Sequence, residues 1–108
     1  DLSVIKKNSK RELFDREKLA RAISQSVGKF FTSEIEVEQI INETEEAIYN
    51  LGETEVLSSA IGDIVLDILA KKNEIAYVRF ASVYRDFKTL DEFENILAAR
   101  RRQNKSQG

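Results

Sequence analysis

A chain of 108 residues can bury one modest core, and its 42% hydrophobic content is ordinary for a globular domain. It holds no Cys and no His, which excludes disulfides, thiolate metal sites and the usual general base; only oxygen-ligand sites for Mg²⁺ stay open. The net charge of −2 is uneven: without the tail cations Arg100, Arg101, Arg102 and Lys105, the body keeps 13 cations against 19 acids, no balance for gripping duplex DNA.

Leu2 to Lys7 and Lys10 to Phe14 are expected as two short strands joined by a two-residue turn, Asn8-Ser9. A type I′ turn needs φ > 0 at both residues, which Asn tolerates, Ser tolerates less, and Gly tolerates best. A hairpin this short must pack on helices to persist. Asp15 is the expected N-cap of a first helix, Arg16 to Phe31, with Leu19, Ala22, Ile23, Ser26, Val27 and Phe30 at helical spacing. A second helix runs from Glu34 to Leu51, with Val37, Ile40, Ile41, Thr44, Ile48 and Leu51 inward and Gly52 as its stop. Between Glu34 and Glu55 stand eight acids and no cation, the pattern of a solvated face.

A third helix follows a cap at Ser58 or Ser59 and buries Ile61, Ile64, Val65, Ile68 and Leu69, with Lys71-Lys72 at its C-terminal end. A fourth runs from Asn73 or Glu74 to Lys88, with Ala76, Phe80, Val83, Tyr84 and Phe87 on one face. A fifth, Leu90 to Arg100, presents Leu90, Phe93, Ile96 and Leu97. Residues 101–108 read as a disordered basic tail, and residues 1–100 as one unit without repeat or linker. The fold class is α+β: a small N-terminal β-hairpin or three-stranded sheet on a bundle of four to five helices. No apolar run approaches the roughly 18 to 20 residues of a membrane span. The absence of Met reads as a processed product or a cut-out domain.

Two stretches carry the functional reading. VIKKNSKRELFDREKL, Val4 to Leu19, sets cations on the hairpin and runs straight into a helix. IAYVRFASVYRDFK, Ile75 to Lys88, is an aromatic helix that also bears Arg79, Arg85 and Lys88. Strand alternation puts Val4 and Lys6 on one face and Lys7 on the other, so Lys7 must reach round to join them. Such walls suit an anion with a flat ring attached. A triphosphate carries about four negative charges and needs at least two cations. Glu12 cannot face phosphate without cost, but it suits amino or hydroxyl donors of a nucleoside. The competing structural reading is plain: the Lys residues protect a strand edge, Glu12 and Lys18 form a surface ion pair, and the aromatics are core.

The first stretch resembles the start of the ATP-cone domain, which regulates ribonucleotide reductases. The second, IAYVRFASVYRDFKTLDEF, is similar to the cone of the NrdR-type transcriptional repressor of ribonucleotide reductase genes rather than to the reductase's own cone. The likeness covers about Val4 to Leu97. It departs from the family in having no four-cysteine zinc ribbon, Ser9 at the usual turn glycine, and Lys6-Lys7 for the usual Lys-Arg pair.

The resemblance implies an allosteric ATP- and dATP-binding domain, with Mg²⁺ accompanying the triphosphate, and not an enzyme. It implies nucleotide contacts at Val4, Lys6, Lys7, Glu12, Lys18, Ser58, Tyr84 and Lys88. Val4 would lie on base or sugar, the lysines on phosphate, and Glu12 and Ser58 on the nucleoside, with Tyr84 bordering it. Arg79, Arg85 and Lys88 are looser candidates, for phosphate or a subunit contact. It also implies a cytoplasmic homo-oligomer whose state follows the nucleotide, away from membranes, with DNA bound only through a separate domain. The alternatives are a regulatory cone of a reductase subunit or a stand-alone sensing cone. A hydrolase is disfavoured by the lack of His and of a P-loop.

Overall fold

The chain opens with two antiparallel strands, β1 (Ser3–Ile5) and β2 (Arg11–Leu13), in a computed structural model that describes residues 1–107. A third strand, β3 (Glu55–Leu57), runs parallel to β1, giving the order β2-β1-β3. Alternation turns Leu2, Val4 and Val56 to the inner face, where they are buried with Ile48. Arg11 and Glu55 lie on the outer face and pair at 2.9 Å across the central strand.

The hairpin turn differs from the expected two-residue form. Ile5 is opposite Arg11, and the Lys6 amide donates to the Lys10 carbonyl at 2.9 Å, leaving Lys7, Asn8 and Ser9 as a three-residue loop. The Ser9 amide closes the turn on the Lys6 carbonyl, and Ser9 alone takes φ of 67°. Such a loop needs one left-handed residue rather than two. The Asn8 side chain is used otherwise, accepting from the Lys10 amide at 3.0 Å.

Five helices follow. α1 (Arg16–Val27) is capped by Asp15, whose carboxylate accepts from the amides of Glu17 and Lys18. It gives way to a 3₁₀ turn, Gly28–Phe30, before the expected end at Phe31. α2 (Glu34–Asn50) is capped by Ser33. α3 (Ser58–Lys72) springs directly from β3, so its flanking residue is Leu57 and no side chain caps it. The expected caps, Ser58 and Ser59, are therefore first-turn residues, because strand passes to helix without a loop. α4 (Glu74–Arg85) is capped by Asn73, which also donates to the Phe30 carbonyl at 3.1 Å. It stops short of the expected Lys88 because Asp86 turns left-handed at φ of 52°.

α5 (Leu90–Gln107) corrects the expectation of a disordered tail from residue 101. The Arg100 guanidinium donates to the Ala70 carbonyl at 2.8 Å and lies 5.5 Å from the Tyr77 ring. One turn on, the Asn104 amide donates to Glu74 at 2.9 Å. These contacts hold the helix to its neighbours past Arg100. Gly108 lies outside the described residues.

The main core joins Ile23 and Val27 of α1, Ile40 and Ile41 of α2, Val65, Leu66 and Leu69 of α3, and Ala76, Phe80 and Ala81 of α4. Each fully buried Ile, Leu or Val contributes about 1.5–3 kcal/mol relative to exposure. Leu66 escaped the expected stripe because α3 packs against both α2 and α4, which widens its buried arc. Leu51 was expected inward but is 49% exposed, and Val83 and Leu90, from the apolar faces read for α4 and α5, are 51% and 80% exposed. Leu51 sits past the last turn of α2, Leu90 opens α5, and Val83 falls off the inner arc of α4.

Candidate functional site

A cleft of about 290 Å³ opens where the hairpin meets the start of α1, the first half of α3 and the end of α4. Val4 and Glu12 are direct partners across the β1–β2 ladder, so their side chains share the face that looks into it. Lys6, two residues on from Val4, joins them. Asp15 and Lys18 come from the start of α1, Ser58 and Gly62 from α3, and Phe80 and Tyr84 from α4. Leu19, Ala22, Ile23, Ile61 and Val65 form its apolar floor.

One carboxylate oxygen stands between two ammonium groups at the mouth. Lys18 Nζ donates to Glu12 Oε1 at 2.7 Å, and Lys6 Nζ stands 3.8 Å from the same oxygen. The hydrogen bond from Lys18 holds the Glu12 carboxyl below its usual range, and the same bond raises Lys18. All three side chains are well exposed, so the pairs add little to stability. Formally, Lys6 and Lys18 balance Glu12 and Asp15. The Asp15 carboxylate is already engaged by α1 amides, which leaves Glu12 as the group in competition for the ammoniums.

Tyr84 forms the wall facing this mouth. Its hydroxyl donates to the Ser59 carbonyl at 2.8 Å, and its ring stacks on Phe80 with centroids 5.9 Å apart and planes inclined by 17°. Burial raises the phenol pKa, and the nearby Asp63 charge adds to the effect. The ring passes directly over Gly62, where no side chain stands in its way.

Of the expected nucleotide contacts, Val4, Lys6, Glu12, Lys18, Ser58 and Tyr84 border this one cleft. Lys7 does not; it stands in the hairpin loop and lines a separate depression with Tyr84, Arg85, Phe87 and Glu92. Nor does Lys88, which lies beyond the left-handed Asp86 and binds that carboxylate at 2.7 Å. Arg85 pairs with Asp63 at 3.6 Å, and Arg79 Nε donates to the Ser26 carbonyl at 3.4 Å. Sequence reasoning missed Gly62, although a lone glycine inside a helical pattern is a signal of close approach. It also missed the second role of Asp15, which caps α1 and borders the cleft.

A larger hollow, about 530 Å³, lies between α1 and the start of α2. Its lining includes Glu34 and Glu38 and no cation, so it suits anions poorly. Among the described residues no cluster of three or more acids could hold a metal, and no helix is long and apolar enough to cross a membrane.

Residues 2–90 match the ATP cone domain family. The chain belongs to the ATP-cone family. Every residue that lines the cleft falls inside the matched span. The chain is also similar to the transcriptional repressor NrdR of Streptococcus pyogenes serotype M5 (strain Manfredo), serotype M49 (strain NZ131) and serotype M1. Each is 46% identical over 96 residues, which make up 89% of this ATP-cone chain and 58% of the relative. The chain thus spans little more than half the length of those repressors.

Proposed function

We propose that this ATP-cone is a nucleotide-sensing regulatory domain that binds ATP and dATP in the cleft beneath its hairpin. The observation that carries this is the convergence of Lys6 and Lys18 on one mouth, over an apolar floor walled by Val4 and Tyr84. Lys6 and Lys18 take the phosphates, with Lys7 reaching round from the hairpin loop and Lys88 as an outer cation. Val4, Ser58 and Tyr84 take the nucleoside end. Phosphate draws both ammoniums away from Glu12, and the freed carboxylate accepts from amino or hydroxyl donors of the nucleoside. Mg²⁺ arrives with the triphosphate, since phosphate supplies its ligands.

The bound nucleotide selects the association state of the domain, and no reaction is catalysed. In a longer protein, such as the NrdR repressors it is similar to, this state would govern DNA binding by a separate domain, at ribonucleotide reductase genes. ATP and dATP differ only at the ribose 2′-hydroxyl, a small difference that packing of several copies can amplify. The apolar side chains available on the last helices are the aliphatic Ile75, Val83 and Leu90; Tyr77 is covered by Arg100.

Calorimetric titration with ATP and dATP, paired with mass measurement of each complex, tests both parts. Binding of both, with a different mass for each, is expected. No heat with either nucleotide would overturn the reading, and binding with one unchanging mass would remove the association switch alone.

A further inference from the structure

Gly62 sits buried in the middle of α3, where glycine is disfavoured relative to alanine. Its backbone is helical, so conformational freedom is not the reason for it. Space is the reason. A Cβ at this position would fall 2.1 Å from Tyr84 Cζ and 2.4 and 2.6 Å from the two Cε atoms, closer than any real contact. The phenol end of the ring therefore rests on the α3 backbone itself. It is pinned there twice, by the hydrogen bond to Ser59 and by the stack on Phe80. Ser59 adjoins Ser58 in the first turn of α3, so this pin also fixes the ring relative to the Ser58 side of the cleft.

We infer that Gly62 is a positioning residue for the nucleotide: its missing side chain lets Tyr84 lie across α3 and set the width of the cleft at its nucleoside end. The inference rests on the nucleotide reading above and adds a residue that touches no ligand. Any side chain at position 62 must lift the ring. The ring cannot move toward Phe80, which occupies the core, so it swings into the cleft or out to solvent. Either way the nucleoside loses its wall.

The test is a double-mutant cycle read by calorimetry with ATP and dATP, with helix content followed by circular dichroism. Gly62→Ala should lower affinity by roughly tenfold, because the nucleotide must either bind without the ring or force it off its preferred rotamer in the complex alone. Tyr84→Ala should produce a similar loss, and adding Gly62→Ala to it should change affinity by less than about twofold, because no ring remains to displace. Gly62→Ala combined with Tyr84→Phe should stay as weak as Gly62→Ala, since Cζ is still present. If Gly62→Ala fails to fold, comparison of Tyr84→Ala with the double alanine variant carries the test. Wild-type affinity in Gly62→Ala, or a further large loss in the double alanine variant, would overturn the inference while leaving the nucleotide reading intact. A wild-type protein that binds neither nucleotide would overturn both.

Discussion

Glu12 is where two roles meet. Its carboxylate stands between Lys6 and Lys18, and the shorter contact, 2.7 Å to Lys18, governs its titration. A carboxyl whose folded pKa is depressed contributes stability above its unfolded value and loses that contribution as pH falls through the folded one. The window therefore lies below the ordinary value of 4.5. Because all three groups are exposed, the effect on unfolding is small and the titration itself is the better probe. Carboxyl carbon NMR of Glu12 should give a midpoint below the ordinary value, moving back up in Lys18→Gln. An ordinary midpoint in the wild type would mean that the Lys18 bond does not persist in solution. Alternation along β1 made Val4 and Lys6 legible from sequence as one face, whereas Glu12 joins that face only because the loop has three residues; the expected two-residue turn would have set it opposite Ile5. Gly62 was not legible as part of the site, because its meaning depends on Tyr84, which reaches it only once α3 and α4 are packed.

The same division holds for elements. Helices α1 to α4 could be read from apolar spacing because each buries a stripe against the main core. β3 has no such signal: it is three residues long, with only Val56 buried, and it exists because β1 offers a parallel edge. The hairpin loop was misjudged for a related reason. Turn chemistry suggested two residues, but the strand register leaves three, with the left-handed burden on Ser9 alone. A non-glycine residue there costs roughly 1–2 kcal/mol, partly offset by the greater freedom glycine has when unfolded. Ser9→Gly should therefore raise the unfolding free energy by about 0.5 kcal/mol in urea melts; a decrease would argue against this loop geometry. The length of α5 was hidden because Arg100 finds its partners, Ala70 and Tyr77, only through tertiary contact. Arg100→Ala removes a charged hydrogen bond and a cation–π contact. It should cost about 2 kcal/mol and speed amide exchange in the last turns of α5. Unchanged exchange there would show that helix propensity alone sustains the helix.

At the scale of the molecule, charge and cavity divide the surface. Acidic side chains crowd α2, where Arg16 is drawn into contact with Glu38, Asn42 and Glu45 and Lys72 pairs with Glu43. Lys6 of the hairpin and Lys18 of early α1 instead face the smaller cleft, which has the more apolar floor. A ligand held there touches the sheet, α1, α3 and α4 together, and those contacts exist only in the folded chain. Binding must then stabilise the whole domain by mass action. Nucleotide at a hundredfold excess over its Kd adds about 2.7 kcal/mol, which for a chain of this size raises Tm by roughly 10 °C. Differential scanning fluorimetry should show that shift for ATP and dATP at low salt. Because Lys6 and Lys18 are exposed, the shift should shrink as salt screens them. Inorganic phosphate at the same concentration should give much less, since it leaves the apolar floor and the Tyr84 wall uncovered. An equal shift with phosphate would mean that charge alone drives binding and that the cleft is not reading a nucleoside.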